Sequence, residues 1–435
     1  MSEVLRPVVG TAMPEPIVES SLPAPERLRT RSVLAIAAAQ FGTAVPAVAV
    51  VLVAWPITIG ALDPVNKALI LSLVSGLGAF VGIFVTPIAG VLSDRCASRF
   101  GMRRPFLIFG AIGAVGGMIL MGISSTVGVL IAGSLLFALG SGIYAGGNYA
   151  LVPDQIPERY RGRVMGLGMV MTTTAGLVAS ITLPMLIGNQ FLMFAVPGAV
   201  MAATTLLTVL LIRDRKLDPT QSTDRPTVRG LLAQFKINPR DIPDYSWAWT
   251  GKVVVTLGTV LTTVYGVYFL TDHLDVPADQ LPGTIAITGI IGLLTAVGGA
   301  ILGSWISDKF RIRKNMVLYT SSLIFLGAVL AAFAPNVAVY LVALALMGLG
   351  TGAYFPVDGA VMIDVLPGAG HETGKYMGLM ALADQLPRSI GPFIAAGVLA
   401  LGSLIPSGGY PTVFIAGGVI AIIGGLLIRK VKGSV

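Results

Sequence analysis

The chain has 435 residues, 54% of them hydrophobic and 11% charged, with a mean hydropathy of +0.84 and a net charge of +8. Soluble domains carry about 25% charged residues, so a water-soluble fold is excluded. With each crossing taking roughly 20 apolar residues, the chain has room for about twelve.

Residues 1–31 are rich in Pro, Glu, Ser and Arg and lack an apolar run, so they read as a disordered cytoplasmic tail rather than a signal peptide. Apolar stretches follow near 32–57, 68–92, 105–124, 127–152, 164–187 and 190–212, which make a first six-helix half over 32–212. A charged segment, 213–245, reads as a cytoplasmic linker. Six more stretches, near 246–270, 282–306, 315–334, 337–363, 375–402 and 410–429, make a second half over 246–430, with a short cytoplasmic tail at 431–435. The fold expected is all-α: a polytopic membrane protein of about twelve helices in two halves. Of the 29 Lys and Arg residues, 26 fall on one side of this layout, Lys67 falls in an opposite loop, and Lys252 and Arg388 lie inside spans. Positive charge collects on the cytoplasmic side, which places both termini there, in a cell inner membrane. The +8 charge is then a topology signal, and no nucleic-acid partner is expected. Cys96 is the single cysteine, so no intramolecular disulfide can form.

The halves repeat each other. Ser93-Asp94-Arg95 after the second stretch matches Ser307-Asp308-Lys309 after the eighth, at an offset of 214. Gly142, Tyr144, Asp154 and Pro157 match Gly352, Tyr354, Asp364 and Pro367 at an offset of 210. Equivalent loops share a side, as in parallel halves related by an axis along the membrane normal, an arrangement that supports alternating access.

These residues resemble the major facilitator superfamily. Gly90-Val-Leu-Ser-Asp94-Arg95, with Arg99, Arg103 and Arg104 behind it, resembles the superfamily's signature loop between helices 2 and 3. The run from Ser93 to Phe106 resembles the corresponding loop of sucrose transporters in the glycoside–pentoside–hexuronide branch, with weaker support from Asp154 to Gly162. The resemblance implies the two-half facilitator fold and secondary transport. The departures matter too. Plant-type sucrose/proton symporters carry an aspartate in helix 4, where this chain has Ala138, and melibiose-type symporters carry acids in helix 2, where it has none before Asp94. The Gly-Pro motif and helix 4 arginine of many drug/proton antiporters are missing.

Charges inside a bilayer cost about 2.5–3.5 kcal/mol each on insertion scales and mark function or pairing. Four qualify: Lys252, Asp358, Asp384 and Arg388. Helix rise places Lys252 and Asp358 at similar depth, so these opposite charges can pair. Arg388 follows Asp384 by four residues, on the same helical face. Asp358 is the first candidate for a proton carrier, since its repeat equivalent, Asn148, is neutral; Asp384 is the second, and fixed ion pairing is the competing reading. A sugar site needs hydrogen-bonding groups and an aromatic face, for which the candidates are Gln40, Phe41, Tyr144, Asn148, Tyr265, Tyr268 and Tyr354. Ordinary packing between helices is the competing reading for each.

The resemblance assigns Asp94, Arg95, Arg99, Arg103 and Arg104 to a cytoplasmic gate that contacts the opposite half when the cavity faces outward. Asp154, Glu158 and Arg161, with Asp308, Lys309, Arg311, Arg313, Asp364 and Glu372, supply both signs of charge for it. The expected function is a proton-coupled symporter of a disaccharide or glycoside, acting as a monomer on a small-molecule substrate within the lipid bilayer. Export of an amphipathic compound or lipid, favoured by an overwhelmingly apolar cavity, and uncoupled facilitation are the alternatives. No cofactor is expected beyond the proton, and no metal. An enzyme is not expected either, because His273 and His371 lack metal-ligand spacing and no nucleophile–base set is visible.

Overall fold

The computed structural model describes residues 28–96, 98–212, 214, 242–365, 373–405 and 408–431. Its long helices are α1 (Thr30–Leu62), α2 (Lys67–Asp94), α3 (Arg104–Gly122), α4 (Val127–Gln155), α5 (Glu158–Leu186), α6 (Gln190–Leu211), α7 (Pro243–Asp272), α8 (Leu281–Phe310), α9 (Arg313–Ala332), α10 (Val337–Asp364), α11 (Thr373–Gly402) and α12 (Tyr410–Lys430). All but α11 are apolar enough to cross a membrane by composition alone. The exception, 30 residues long, carries Asp384, Gln385 and Arg388 near its middle. No strand occurs among the described residues, as expected where a spanning chain must satisfy its backbone within each segment. The chain is a multi-pass membrane protein.

Most helices begin or end beyond the apolar stretches that predict them. The second half begins at Pro243 rather than 246, and α1 begins at Thr30. Polar end turns extend these helices past their apolar cores, while α6 stays within its stretch. Some helices are irregular. α1 passes through a π turn at Val50–Ala54, between Pro46 and Pro56, whose missing N–H groups each remove a helical bond. α4 breaks at Ala150, and α7 at Tyr265, before Gly266. The repeat extends to the caps. Thr126 accepts from the Val129 N–H at the start of α4, and Asn336, 210 residues on, accepts from the Val339 N–H at the start of α10.

Each half packs mainly within itself, α3 on α4 in the first and α8, α9 and α10 together in the second. The main interfaces between the halves are α2 with α11 and α5 with α8, with smaller contacts from α7 to the first half. At Gly76 on α2 the approach is so close that a Cβ would run into the Phe393 ring and stand 2.9 Å from the Ser389 carbonyl oxygen. The tail 1–27 and most of the linker lie outside the described residues. So does Glu372, one of the gate candidates.

Candidate functional site

Two buried charges and a third, partly exposed one meet in the second half. Lys252 on α7 and Asp358 on α10 are almost wholly enclosed, at 2% and 0% exposure, and Lys252 Nζ stands 2.8 Å from Asp358 Oδ2. The Tyr354 hydroxyl, one turn earlier on α10, donates to Asp358 Oδ1 at 3.1 Å. Asp384 on α11 is the third member: its Oδ1 lies 3.2 Å from Lys252 Nζ, and its side chain is 32% exposed. That last contact is an ion pair without hydrogen-bond alignment, since Asp384 Oδ1 makes no hydrogen bond. Asp384 turns towards Lys252 and makes no ion pair with Arg388. One ammonium therefore faces two carboxylates in surroundings where an uncompensated charge is costly.

A cavity of about 850 Å³ lies between the halves. Its walls are largely aliphatic and aromatic, with Trp55, Phe137, Leu270, Leu293 and Tyr340 among them. Polar groups reach it from Gln40 and Asn148 in the first half and from Gln385 and Arg388 on α11. Asn148 leaves its Oδ1 without a partner. Of the seven residues proposed for a sugar site, Gln40 and Asn148 line the cavity and the other five do not. Phe41 packs with Ala44, Val45 and Ala175. Tyr144 is fully buried inside the first half, its backbone against Gly110. Tyr354 belongs to the charge cluster, and Tyr265 and Tyr268 sit at the end of the molecule remote from the basic loops. Tyr265 exchanges a 2.7 Å hydrogen bond there with Ser72 across the halves. Lys67 lies over the Tyr268 ring, 4.9 Å from its centre.

At the basic end the loop charges form two matching clusters, one per half. In the first, Arg103 is 6% exposed and binds Asp94 at 2.6 Å and Asp154 at 2.8 Å. Burial works against the Arg103 charge, but the hydrogen bonds it donates to Asp154 and Asp94 and their negative charges outweigh it and raise the pKa of the guanidinium above its ordinary value. In the second, Arg313 binds Asp308 at 3.6 Å and Asp364 at 2.7 Å. Arg103 and Arg313 are 210 residues apart, so the repeat carries the ion pairs as well as the helices. Of the other gate candidates, Arg95 caps α2 through its backbone N–H, Arg99 stacks on Phe100, and Arg161 bonds the Ile156 and Pro153 carbonyls with Glu158 3.9 Å away. Arg104 donates to the Ile212 carbonyl, Lys309 lies over Trp305, and Arg311 ends α8 in a left-handed conformation with φ 51°.

The Major Facilitator Superfamily model matches residues 32–392, and again 299–433. The chain belongs to the Major Facilitator Superfamily. Among solved structures, this facilitator resembles a bacterial homologue of the human lysosomal transporter Spinster, inward-facing and unoccupied, with a TM-score of 0.73 at 15% identity over 93% of this chain and 97% of that one. It is 23% identical over 340 residues to the class H tetracycline resistance protein of Pasteurella multocida, covering 75% of this chain and 80% of that protein. It is 43% identical over 61 residues to the human proton-associated sugar transporter A, which is 14% of this chain and 8% of that protein. The superfamily and its fold are those of transporters, not enzymes.

The facilitator also holds functional contacts that sequence reasoning passed over. Lys67, which the sequence layout places in an opposite loop, pairs with Asp272 of the other half at 2.6 Å, and Asp272 also accepts a bond from the Tyr410 hydroxyl at 2.7 Å. With Tyr265–Ser72 and the Ser389 hydroxyl on the Gly76 carbonyl, this pair ties the halves together at the end remote from the basic loops. Asp214, just past α6, accepts from the backbone N–H groups of Arg103 and Arg104 at 2.7 and 2.8 Å and so caps α3 from the linker side. Gly101 has φ 109° and no room for a Cβ beside Asp214, which explains the glycine at that turn. The nearby Gly-Met-Arg-Arg run signals a turn; the partner 110 residues away leaves no local trace.

Proposed function

We propose that this facilitator couples solute movement to protons through Lys252, Asp358 and Asp384, and that its solute is a small amphipathic compound. The observation that carries the coupling is one buried ammonium shared by two carboxylates of unequal access. With both acids ionised the cluster holds one surplus negative charge, and a single proton removes it. Asp358 is held by Lys252 and Tyr354 and wholly enclosed; Asp384 is a third exposed and next to the cavity-lining Gln385, so Asp384 takes the proton. The apolar walls favour an amphipathic solute over a disaccharide, because lining hydroxyls such as Thr43, Ser75, Thr263 and Thr288 are already bonded to carbonyls of their own helices. A glycoside is the second reading, supported by the loop from Ser93 to Phe106 and the short similarity to a proton-associated sugar transporter.

In this reading the basic end is cytoplasmic, as its charge excess requires. The ties at the opposite end then mark an inward-facing state of an inner-membrane protein. The test is proton flux in proteoliposomes loaded with a pH-sensitive dye, on adding labelled sucrose, maltose, trehalose or tetracycline to an outward-excess gradient. Solute-dependent lumenal acidification supports symport, and alkalinisation makes the protein an antiporter. Solute equilibration with no proton movement in either direction removes the coupling reading and leaves a facilitator.

A further inference from the structure

Arg388 lies inside a spanning helix, yet it lines the cavity and is exposed to it. Among the described residues it makes no hydrogen bond and no ion pair. Its neighbour one turn away, Asp384, turns its carboxylate to Lys252 instead. A guanidinium in an apolar chamber is costly to keep, and the general remedy is a partner with the opposite charge. The chamber around it offers the rest of a site: aromatic and aliphatic faces at Trp55, Phe137 and Leu293, and amide groups on Gln40 and Asn148 across from α11. A single cationic side chain matches one negative charge, and its planar fork matches a carboxylate.

We infer that the solute is an organic monocarboxylate whose apolar body lies in the cavity and whose carboxylate is bound by Arg388. This rests on the transport reading above and adds the headgroup it carries. It also closes the charge count. Lys252, Arg388, Asp358 and Asp384 sum to zero when all are ionised, a proton on Asp384 leaves one positive charge over, and the anionic solute cancels it. Proton and solute then travel as a neutral pair.

The test is the thermal stability of the purified full-length protein in detergent, titrated with benzoate, nicotinate, hexanoate and indole-3-acetate and with the uncharged amide of each. At least one acid should stabilise the protein at concentrations about tenfold below those its amide needs. Arg388→Gln should erase that difference, and Arg388→Lys should keep part of it. Because the side chain has no partner among the described residues, neither variant should be less stable than the wild type without ligand. If they fail to fold, phenylglyoxal labelling of Arg388 in the wild type, read by peptide mass spectrometry, takes their place, with protection by the acids expected. Equal binding of acid and amide, an acid preference that survives in Arg388→Gln, stabilisation by sucrose alone, or no binding and no protection by any acid would each overturn the inference. Equilibrium binding needs no gradient. Acid binding without protein-dependent proton flux when that same acid is added to the proteoliposomes thus defeats the coupling reading alone, and proton flux without acid preference defeats this one alone.

Discussion

Lys252, Asp358 and Asp384 share one contact set but should respond differently to substitution. Removing the ammonium leaves Asp358 enclosed with no cation, and breaking a buried pair from one side costs about 3–5 kcal/mol. Lys252→Ala should therefore lower the apparent melting temperature sharply, and Lys252→Ala/Asp358→Asn should recover much of the loss; additive losses in that cycle would mean the two do not interact. Asp384→Asn leaves the 2.8 Å Lys252–Asp358 pair intact, so its stability should change by less than about 1 kcal/mol, while proton-driven accumulation disappears and solute exchange persists. Accumulation that survives in Asp384→Asn would return the role to Asp358. Much of this cluster was legible beforehand: the cost of burying charge singles out four residues, and helix rise sets Lys252 level with Asp358. The choice of partner for Asp384 was not legible. Spacing along α11 offers Arg388 at four residues, and the rotation of α11 against α7, which turns Asp384 to Lys252, is set by tertiary packing.

Between elements, the far-end closure depends on how near α2 can come to α11. Gly76→Leu places a side chain where Phe393 and the Ser389 carbonyl already stand, and overpacking of this kind costs about 1–3 kcal/mol in the closed arrangement. The substitution should hold that end open. In a Cys96→Ser background, a cysteine at Gln40 should become more reactive to a membrane-impermeant maleimide supplied from that side, and unchanged labelling would show that α2 and α11 do not gate it. Asp272→Asn should act in the same direction but weakly, since the Lys67–Asp272 pair is partly exposed, at 20% and 28%, and such pairs contribute about 0–1 kcal/mol. Among the described residues, the long helices other than α11 and their order were legible from apolar length, with errors mainly at the end turns. The ties between them were not. Lys67 and Asp272 lie 205 residues apart, and Tyr265 and Ser72 lie 193 apart. The tyrosines expected against a sugar are spent on closure and packing, because an amphipathic phenol serves a helix interface as readily as a cavity wall.

For the molecule as a whole, the repeat turns one set of parts into two matched halves. The ion-pair clusters around Arg103 and Arg313 each tie together helix ends within one half, so each half can move as a unit about the cavity. Closing the basic end would bring these clusters face to face, with Asp94, 59% exposed here, available to the opposite half. Asp94→Asn leaves Arg103 its bond to Asp154, so folding and solute binding should persist while turnover slows several-fold, the effect of losing one or two exposed pairs. The motion itself can be read from two spin-label pairs in the Cys96→Ser protein. One joins Val65 to Gln280 at the far end, and the other joins Phe100 to Phe310 at the basic end; all four positions are exposed. A proton gradient with solute should lengthen the first distance and shorten the second in the same fraction of molecules. Asp94→Asn should reduce that fraction, since the state with the basic end closed loses a contact that the structure described here does not use between its halves. Two distances that vary independently would show that the halves do not rock as units, and the gating role of both clusters would fall with them.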